Sequence, residues 1–212
     1  DLRTAADEAV ASPWLEPLGL HAFGASNLTD ATILATHVEA TVEAAILVAA
    51  TAGFELRLVD AGGGLGIPYA SGDPALDLQA LGSHLASLAE RLAASEASRT
   101  VRVLLEPGRF LVGACGAYVA RVVDRKTMDG KQVVILDGGI HHVLRPVLVG
   151  QEQRIVVLTG SSAGPAADAP GSAPPVMIAG PLCTGLDVFA GKAAIAPPDP
   201  GDLVAVLDVG AY

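Results

Sequence analysis

The feature that most constrains this chain is the order of its apolar segments. Short apolar runs at residues 18–23, 56–60 and 101–105 are typical of strands, and long helical patterns separate them. A further helix is predicted at residues 1–10. The order strand, helix, strand, helix, strand predicts parallel α/β units, in which successive strands join one sheet.

The helices between these strands carry their own start and stop signals. Thr29 or Asp30 can accept the first free N–H groups of the long helix, and Gly53 suits a left-handed C-terminal stop. Asp73 and Pro74 are predicted to open the next helix. Its apolar face consists of leucines spaced four, three and four residues apart: Leu81, Leu85, Leu88 and Leu92.

The pattern changes after residue 110, where no further long helix is predicted. Val-rich strand candidates follow at 111–124, 132–137, 154–159, 176–179 and 203–208. We therefore expect a parallel α/β part at 1–110 and an all-β domain at 111–212. Residues 161–175, rich in Ser, Gly, Ala and Pro, are predicted to be a mobile surface loop.

Composition excludes several classes of function. A net charge of −10 with a pI near 4.8 repels polyanions, so nucleic acid is not an expected partner. The apolar runs are too short to predict a membrane segment. The two cysteines, Cys115 and Cys183, lie far apart and no Cys/His cluster has metal-ligand spacing, so we expect no metal and a reduced, cytoplasmic setting.

Three polar or glycine-rich turns follow the three parallel strands at residues 23–26, 62–64 and 106–109. The C-terminal ends of the strands are where βα barrels build their active sites. Glycines let peptide N–H groups approach a phosphate, Ser26 adds a hydroxyl and Arg109 a charged fork. Together the turns predict a phosphate cradle, although each alone is more often a plain turn or a solvated arginine.

Five motifs, in this order, resemble those of the ornithine/diaminopimelate decarboxylase family. They are Gly62-Gly63-Gly64-Leu65-Gly66, Glu106-Pro107-Gly108-Arg109, Asp137-Gly138-Gly139, Gly180-Pro181-Leu182-Cys183, and Gly201-Asp202 through Gly210-Ala211-Tyr212. The resemblance implies that 1–110 is part of an alanine-racemase-like (β/α)8 barrel, which binds the cofactor. It implies that 111–212 is a β-barrel-like domain, which completes the dimer and the active site. It also implies pyridoxal 5'-phosphate as cofactor and a homodimer with shared active sites. Three parallel strands are too few to close a barrel, so we expect the chain to be part of a longer protein.

The resemblance assigns a role in cofactor binding to residues of the barrel part and to the last residue. It implies that the phosphate is held by Ser26, Gly62, Gly63, Gly64, Gly108, Arg109 and Tyr212. Glu106 would pair with the pyridine nitrogen, and Phe23 stands where most members place a histidine against the ring. For Glu106, a role as a cap or in a surface ion pair remains the alternative.

The same resemblance assigns roles in the β-domain. Cys183 would reach into the partner's site and help to return a proton after CO2 leaves; the alternative is a small buried hydrophobe, which suits Cys115 better. Asp137 and Arg145 would lie near the substrate, or else form a surface ion pair. The three histidines near these motifs are expected to be satisfied core residues: His21, His141 and His142.

Departures from the family pattern concern the lysine and the substrate. The chain's lysines all fall in the β-domain, so the cofactor lysine is expected from a segment absent here: Lys126, Lys131 and Lys192. Thr184 follows the cysteine where relatives acting on diamino acids carry Asp or Glu, and Val149 stands where diaminopimelate-specific members have Tyr. We therefore expect decarboxylation of an amino acid without a free distal ammonium. Three alternatives remain. They are decarboxylation of an aminoacyl group that is tethered to an acyl carrier protein, a racemase, and a non-catalytic cofactor-binding homologue.

Overall fold

The structure, a computed structural model, describes residues 1–159 and 175–212, which form two compact units. The first unit comprises Asp1–Ile67 and Pro74–Phe110, and the second comprises Pro68–Asp73 and Leu111–Tyr212. The loop predicted at residues 161–175 lies, apart from Pro175, outside the described residues.

The first unit is a layer of helices on a parallel sheet of three strands. Its elements are α1 (Leu2–Ala11), β1 (Gly19–His21), α2 (Ala31–Ala52), β2 (Leu58–Asp60), α3 (Leu78–Ala94), β3 (Arg102–Leu104) and α4 (Gly108–Val112), the last of which ends in the second unit. The strands are ordered β1-β2-β3, with Leu20 beside Val59 and Val59 beside Val103. This confirms the predicted α/β part of the chain.

The ends of α2 follow the predicted signals, but the start of α3 does not. Asp30 Oδ1 accepts the first free N–H groups of α2, and Gly53 ends it at a φ of 82°. The prediction that Asp73 and Pro74 open the next helix is wrong, because α3 is capped by Asp77. The carboxylate of Asp73 instead accepts the N–H groups of Tyr69 and Ala70 in a preceding turn.

The core of the first unit forms where α2 and α3 cover the sheet. Val59 in the central strand is fully buried, and one face of α2 packs on it through Val38, Val42, Ala45 and Ala49. The predicted leucine face of α3 is confirmed: Leu81 and Leu88 are buried, and Leu85 and Leu92 are partly buried.

One helix of the described chain, α2, is long and apolar enough to cross a membrane by length and composition alone, contrary to the sequence expectation. A helix that covers a sheet has the same composition, because its apolar face belongs to the core. Val42 and Ala45 on that face are each 1% exposed. The core position accounts for the apolar residues of this face.

The second unit is an all-β domain, as predicted. Its described elements are a 3₁₀ turn (Gly113–Cys115), β4 (Ala117–Met128), β5 (Lys131–Leu136), α5 (Arg145–Val149), β6 (Ile155–Val157), β7 (Val176–Ala179), β8 (Val188–Ala193) and β9 (Leu203–Leu207). The strands form one sheet in the order β6-β9-β4-β5-β7-β8. One face of this sheet forms an apolar core that includes Val134, Leu136, Ile178 and Phe189.

Two predictions for this unit are wrong. Residues 111–115 are helical or in the 3₁₀ turn, and the strand begins only at Ala117. Cys115 is exposed and not a buried hydrophobe. Strand β8 was not predicted, because Gly191 and Lys192 interrupt its apolar pattern. The six-residue strand is nevertheless paired with β7.

One pair of neighbouring strands decides where the polar turns of this unit lie. Strands β5 and β7 are parallel, with Gln132 beside Val176 and Ile135 beside Ala179. The C-terminal ends of parallel neighbours lie at the same edge of a sheet. The segments that follow β5 and β7 therefore emerge side by side.

Candidate cofactor site and cysteine turn

The three predicted turns of the first unit lie at one edge of its sheet and are joined by backbone hydrogen bonds. The Ala22 N–H donates to the Asp60 carbonyl at 2.9 Å, and the Ala61 N–H donates to the Leu104 carbonyl at 3.0 Å. The Glu106 N–H donates to the Gly62 carbonyl at 2.8 Å. Parallel pairing thus continues past the strands and brings the turns together.

The glycine turn, residues 62–64, has no room for side chains. Gly62 and Gly64 have φ of 67° and 91°, which disfavour other residues. A Cβ on Gly62 would lie 2.7 Å from the Ala22 carbonyl oxygen, and one on Gly64 would overlap the carbonyl oxygen of Ala25. The turn therefore presents backbone alone between its two neighbours.

Two predicted phosphate donors of this site contact each other. Arg109 Nη2 donates to Ser26 Oγ at 2.7 Å, so a guanidinium and a hydroxyl converge. Within the described part of the chain, the Gly63 and Gly64 N–H groups donate to no protein acceptor. Gly108 has open space where a side chain would stand. These groups fit an anionic ligand such as the phosphate of pyridoxal phosphate.

Three titratable side chains surround the ends of the strands. His21 Nε2 lies 3.4 Å from Glu106 Oε2, and one ligand atom each of His21, Asp60 and Glu106 lies within 4.8 Å of the others. Asp60 Oδ1 also accepts the Gly62 N–H at 2.9 Å. Such spacing would suit a cation, but exposed acidic groups are common without one. The expectation that His21 is a core residue is wrong, because its side chain is 57% exposed at the end of β1.

Phe23 lies in the turn after β1 with its side chain accessible. The residue is 58% exposed, so its ring is available for stacking, as the resemblance implies. The following Gly24 packs closely on His37, because a Cβ there would lie 2.7 Å from the imidazole. His37 Nε2 lies 3.1 Å from the Ala61 carbonyl oxygen, which ties α2 to the same turns.

In the second unit, Cys183 lies in the connection between β7 and β8, which we call the cysteine turn (residues 180–187). Residues 181–186 are all exposed. Cys183 and Cys115 are both free thiols. Exposure in a turn disagrees with the buried-hydrophobe alternative for Cys183 and leaves its sulfur accessible to chemistry.

The cysteine turn is anchored by a residue that the sequence analysis did not single out. Asp187 is 2% exposed, and its carboxylate accepts the Leu182 N–H at 2.7 Å and the Ile140 N–H at 2.8 Å. A Cβ on Gly139 would lie 2.7 Å from that carboxylate. Asp187 therefore connects the cysteine turn to the segment after β5.

The predicted substrate residues take separate positions in the second unit. Asp137 Oδ1 accepts the Arg121 N–H at 2.8 Å. Arg145 lies with its guanidinium carbon 3.7 Å from the centroid of the Tyr69 ring, and its Nη2 donates to Gln151. Tyr212 is 67% exposed at the end of the chain. Their roles in substrate and cofactor binding remain predictions.

A tyrosine and a histidine form a pair near the segment after β5. The Tyr118 hydroxyl lies 2.8 Å from His142 Nδ1, and a Cβ on Gly138 would overlap that hydroxyl. Burial, with smaller contributions from the charges of Asp137 and Asp187, raises the pKa of Tyr118. His141 and His142 are exposed, so the expectation of core histidines is wrong for both.

The structure thus divides the predicted residues into groups. The first unit brings together Phe23, Ser26, Gly62, Gly63, Gly64, Glu106, Gly108 and Arg109. The second unit holds Cys183 and Thr184 in one turn. Neither Asp60 nor Asp187 was predicted as a site residue. A local signal exists for Asp60, which ends an apolar strand just before the glycine turn.

Comparisons with known proteins bear on the family of the chain. Residues 10–210 match the family described as pyridoxal-dependent decarboxylase, C-terminal sheet domain. The diaminopimelate decarboxylase of Streptomyces coelicolor is 37% identical over 183 residues, which are 83% of this chain and 40% of that protein. A decarboxylase of the L-glutamyl form of the BtrI acyl-carrier protein from Niallia circulans is 30% identical over 203 residues, 92% of this chain and 45% of that protein.

Solved structures give the same result. The diaminopimelate decarboxylase of M. jannaschii in co-complex with L-lysine has a TM-score of 0.79 and 26% identity, over 99% of this chain and 45% of that one. The chain therefore spans less than half the length of these relatives. The match confirms the predicted family, its fold and its cofactor, pyridoxal phosphate.

Proposed function

The chain belongs to the pyridoxal-dependent decarboxylase family, and on that premise we propose that the whole protein removes CO2 from the α-carbon of an amino acid. The observation that carries the proposal is the convergence of three strand-end turns in the first unit, with Arg109 donating to Ser26 at 2.7 Å. A cradle of this composition fits a phosphate ester.

The cofactor phosphate would be held by backbone and side-chain donors together. Gly63 and Gly64 offer N–H groups that no described acceptor uses, and Gly108 leaves space beside them. Arg109 and Ser26 supply a charged and a neutral donor. Tyr212, by resemblance, would add a phenolic hydroxyl.

Glu106 would face the pyridine nitrogen. When bound, the cofactor supplies a protonated ring that accepts the electrons released as CO2 leaves the α-carbon. Glu106 is exposed at the strand ends with His21 3.4 Å away, so its carboxylate is accessible to a ligand. Phe23 would pack on the ring face.

Cys183 would act in the site of a second subunit, which makes the protein a homodimer with shared sites. Support comes from the accessible thiol in an exposed turn, a position from which a side chain can reach a partner. There the thiol would return a proton to the α-carbon. A cytoplasmic setting, which keeps both cysteines reduced, belongs to the same proposal.

The substrate would be an amino acid without a free distal ammonium. Thr184 Oγ1 accepts the Leu186 N–H at 3.3 Å, so this hydroxyl is used within the cysteine turn. Val149 is 54% exposed and carries no polar group. Neither residue can take the place of a carboxylate or phenol that holds a distal charge.

The second candidate is a carrier-tethered aminoacyl group, favoured by the similarity to the decarboxylase of an L-glutamyl carrier protein. The basic cluster that would meet an acidic carrier consists of Arg121, Arg125, Lys126 and Lys131. Asp199 pairs with Arg125 at 2.9 Å, which reduces the net charge of this patch. The free amino acid therefore stays the first choice.

The test uses the full-length protein. Its three lysines within residues 1–212 lie in β4, β5 and β8, so the cofactor lysine is expected elsewhere. Borohydride reduction followed by peptide mapping should find the cofactor on a lysine outside these residues, and amino acids should release CO2. Cofactor binding without CO2 release or racemisation would indicate a non-catalytic homologue. Racemisation without CO2 release would indicate a racemase.

A further inference from the structure

We infer that Asp187 is a positioning residue for Cys183, because its buried carboxylate fixes the turn that carries the thiol. The inference rests on the proposed role of Cys183 and extends it to a residue that would touch neither substrate nor cofactor. Asp187 lies at the end of the cysteine turn, directly before β8.

The carboxylate joins two segments that the parallel strands bring side by side. Asp187 Oδ2 accepts the N–H of Leu182, the residue before Cys183, at 2.7 Å. Oδ1 accepts the N–H of Ile140, in the segment after β5, at 2.8 Å. With only 2% of Asp187 exposed, water competes little for these bonds. The peptide that precedes the thiol is thereby held against a neighbouring strand end.

The backbone of Asp187 closes the same turn. Its N–H donates to the Thr184 carbonyl at 3.2 Å, and its carbonyl accepts the Gly180 N–H at 2.9 Å. These bonds enclose Cys183 in a loop fastened at both ends. Asp187 thus forms hydrogen bonds with the turn at three positions: Gly180, Leu182 and Thr184.

The carboxylate of Asp187 explains why glycine stands at two nearby positions, where the backbone conformation does not require it. Gly139 and Gly180 do not have positive φ. A Cβ on Gly139 would lie 2.7 Å from the Asp187 carboxylate, and a Cβ on Gly180 would overlap it. The motifs Asp137-Gly138-Gly139 and Gly180-Pro181-Leu182-Cys183 are therefore packed around the same side chain.

Positioning matters here because the other hydrogen bonds of the turn are local: the Thr184 N–H donates to the Leu182 carbonyl at 2.8 Å, and the Leu186 N–H donates to Thr184 Oγ1 at 3.3 Å. Residues 181–186 are exposed, so no apolar anchor of the turn is buried between Gly180 and Asp187. A proton donor must lie within hydrogen-bond reach of the atom that it protonates, and a misplacement of about 1 Å can reduce the rate about 100-fold. Loosening the turn should therefore impair the thiol.

The test is a double-mutant cycle in the full-length holoenzyme. Asp187→Asn keeps the size of the side chain but presents an NH2 group to one of the two N–H donors. We expect kcat to fall about tenfold or more with little change in KM, and no further fall when the change is made in Cys183→Ala. Asp202→Asn is the control: it makes the same substitution at a carboxylate that accepts one N–H group, that of Asp199, and the amide oxygen of Asn can still accept it. It should leave kcat unchanged.

A second measurement does not depend on turnover. Amide hydrogen exchange at Leu182 and Ile140 should accelerate in Asp187→Asn, and the alkylation rate of Cys183 should change relative to that of Cys115 in the same molecule. Thermal unfolding verifies that the variant folds. If Asp187→Asn does not fold, Gly180→Ala, whose Cβ would overlap the carboxylate, replaces it in the same cycle with the same expected result.

The outcomes separate this inference from the proposed function. A full additional loss from Asp187→Asn in the Cys183→Ala background, or unchanged activity of Asp187→Asn alone, overturns the positioning role. Unchanged activity and products in Cys183→Ala overturn the proposed role of the thiol, and the positioning role with it.

Discussion

The guanidinium of Arg109 donates a hydrogen bond to the hydroxyl of Ser26 at 2.7 Å, although 83 residues separate them in the sequence. The contact joins the turn after β3 to the turn after β1, and the glycine turn follows the strand between them. A charged and a neutral donor therefore meet beside peptide N–H groups. This arrangement gives the first prediction.

Arg109→Ala should weaken binding of pyridoxal phosphate to the full-length apoprotein. A hydrogen bond to a charged group contributes about 1.5–3 kcal/mol, so the dissociation constant should rise between about tenfold and 150-fold. Titration of the apoprotein with pyridoxal phosphate, followed by absorbance, measures this directly. Arg109→Lys should recover only part of the loss, because an ammonium lacks the fork geometry of arginine.

The matched control is Arg99→Ala. Arg99 forms an exposed ion pair with Glu96 at 3.2 Å, so its removal takes away the same charge without touching the strand ends. An equal loss of affinity in both variants would mean that net charge, and not the cradle, governs binding.

Gly64→Ala should abolish or strongly weaken cofactor binding, whereas Gly72→Ala should not. The two glycines have nearly the same φ, 91° and 92°, so both substitutions incur about 1–3 kcal/mol of backbone strain. Only at Gly64 would the added Cβ overlap a neighbour, the carbonyl oxygen of Ala25, while Gly72 has nothing within 4 Å. Affinity and thermal unfolding, measured for both variants, separate steric displacement of the turn from strain. Equal effects on affinity would contradict the assignment of the glycine turn.

The elements that the sequence predicts well have local signals. Gly53 and Asp30 end α2 because glycine tolerates positive φ and a carboxylate can accept the first free N–H groups of a helix. The start of α3 was misplaced because Asp73 and Asp77 are equivalent local signals. Only the fold decides that Asp73 accepts the N–H groups of Tyr69 and Ala70.

What could not be predicted depends on contacts between distant residues. The partner of Asp187 in the segment after β5, Ile140, is 47 residues away, and no local pattern indicates that this carboxylate is buried. His21 was expected in the core because it lies within the apolar run 18–23, two residues before the predicted end of the strand. The strand ends at that residue, and its imidazole lies exposed beside Glu106.

The raised pKa of Tyr118 predicts a dependence of stability on alkaline pH. Burial, followed by the charges of Asp137 and Asp187, favours the neutral phenol in the folded state. A pKa raised on folding contributes stability below the unfolded value, near pH 10, that is lost as pH rises through the folded value. Wild type should therefore lose more stability than Tyr118→Phe as the pH is raised above about 9 in urea unfolding. Parallel curves for the two proteins would contradict the shift.

Mixed dimers test whether Cys183 works in the site of a partner. Subunits with Cys183→Ala, combined with subunits that lack the cofactor lysine, should form one complete site in each mixed dimer. Random pairing makes half of the dimers mixed, so activity should recover to about a quarter of the wild-type rate. Mass spectrometry of the intact dimers verifies mixing. Inactive preparations with proven mixed dimers would argue against a shared site.

The choice of substrate is tested at Thr184, where the proposed function depends on the absence of a carboxylate. A buried distal ammonium needs a partner to offset its desolvation, and a site without one should discriminate against it. Free lysine, ornithine and diaminopimelate should therefore release CO2 more slowly than amino acids with a neutral side-chain end. Thr184→Glu, which introduces an anionic group into the cysteine turn, should raise the relative kcat/KM for the diamino acids.

Thr184→Ser is the control for that change, since it keeps the hydroxyl that accepts the Leu186 N–H at 3.3 Å and introduces no charge. It should leave the order of substrates unaltered.

The same aminoacyl groups loaded on a carrier protein should be compared with the free amino acids. Because the carrier would hold the substrate through its acyl end, turnover only of the loaded forms would favour the tethered alternative. Efficient turnover of a free diamino acid by the wild type would mean that the site offers a partner for the distal ammonium, and it would contradict the proposed substrate.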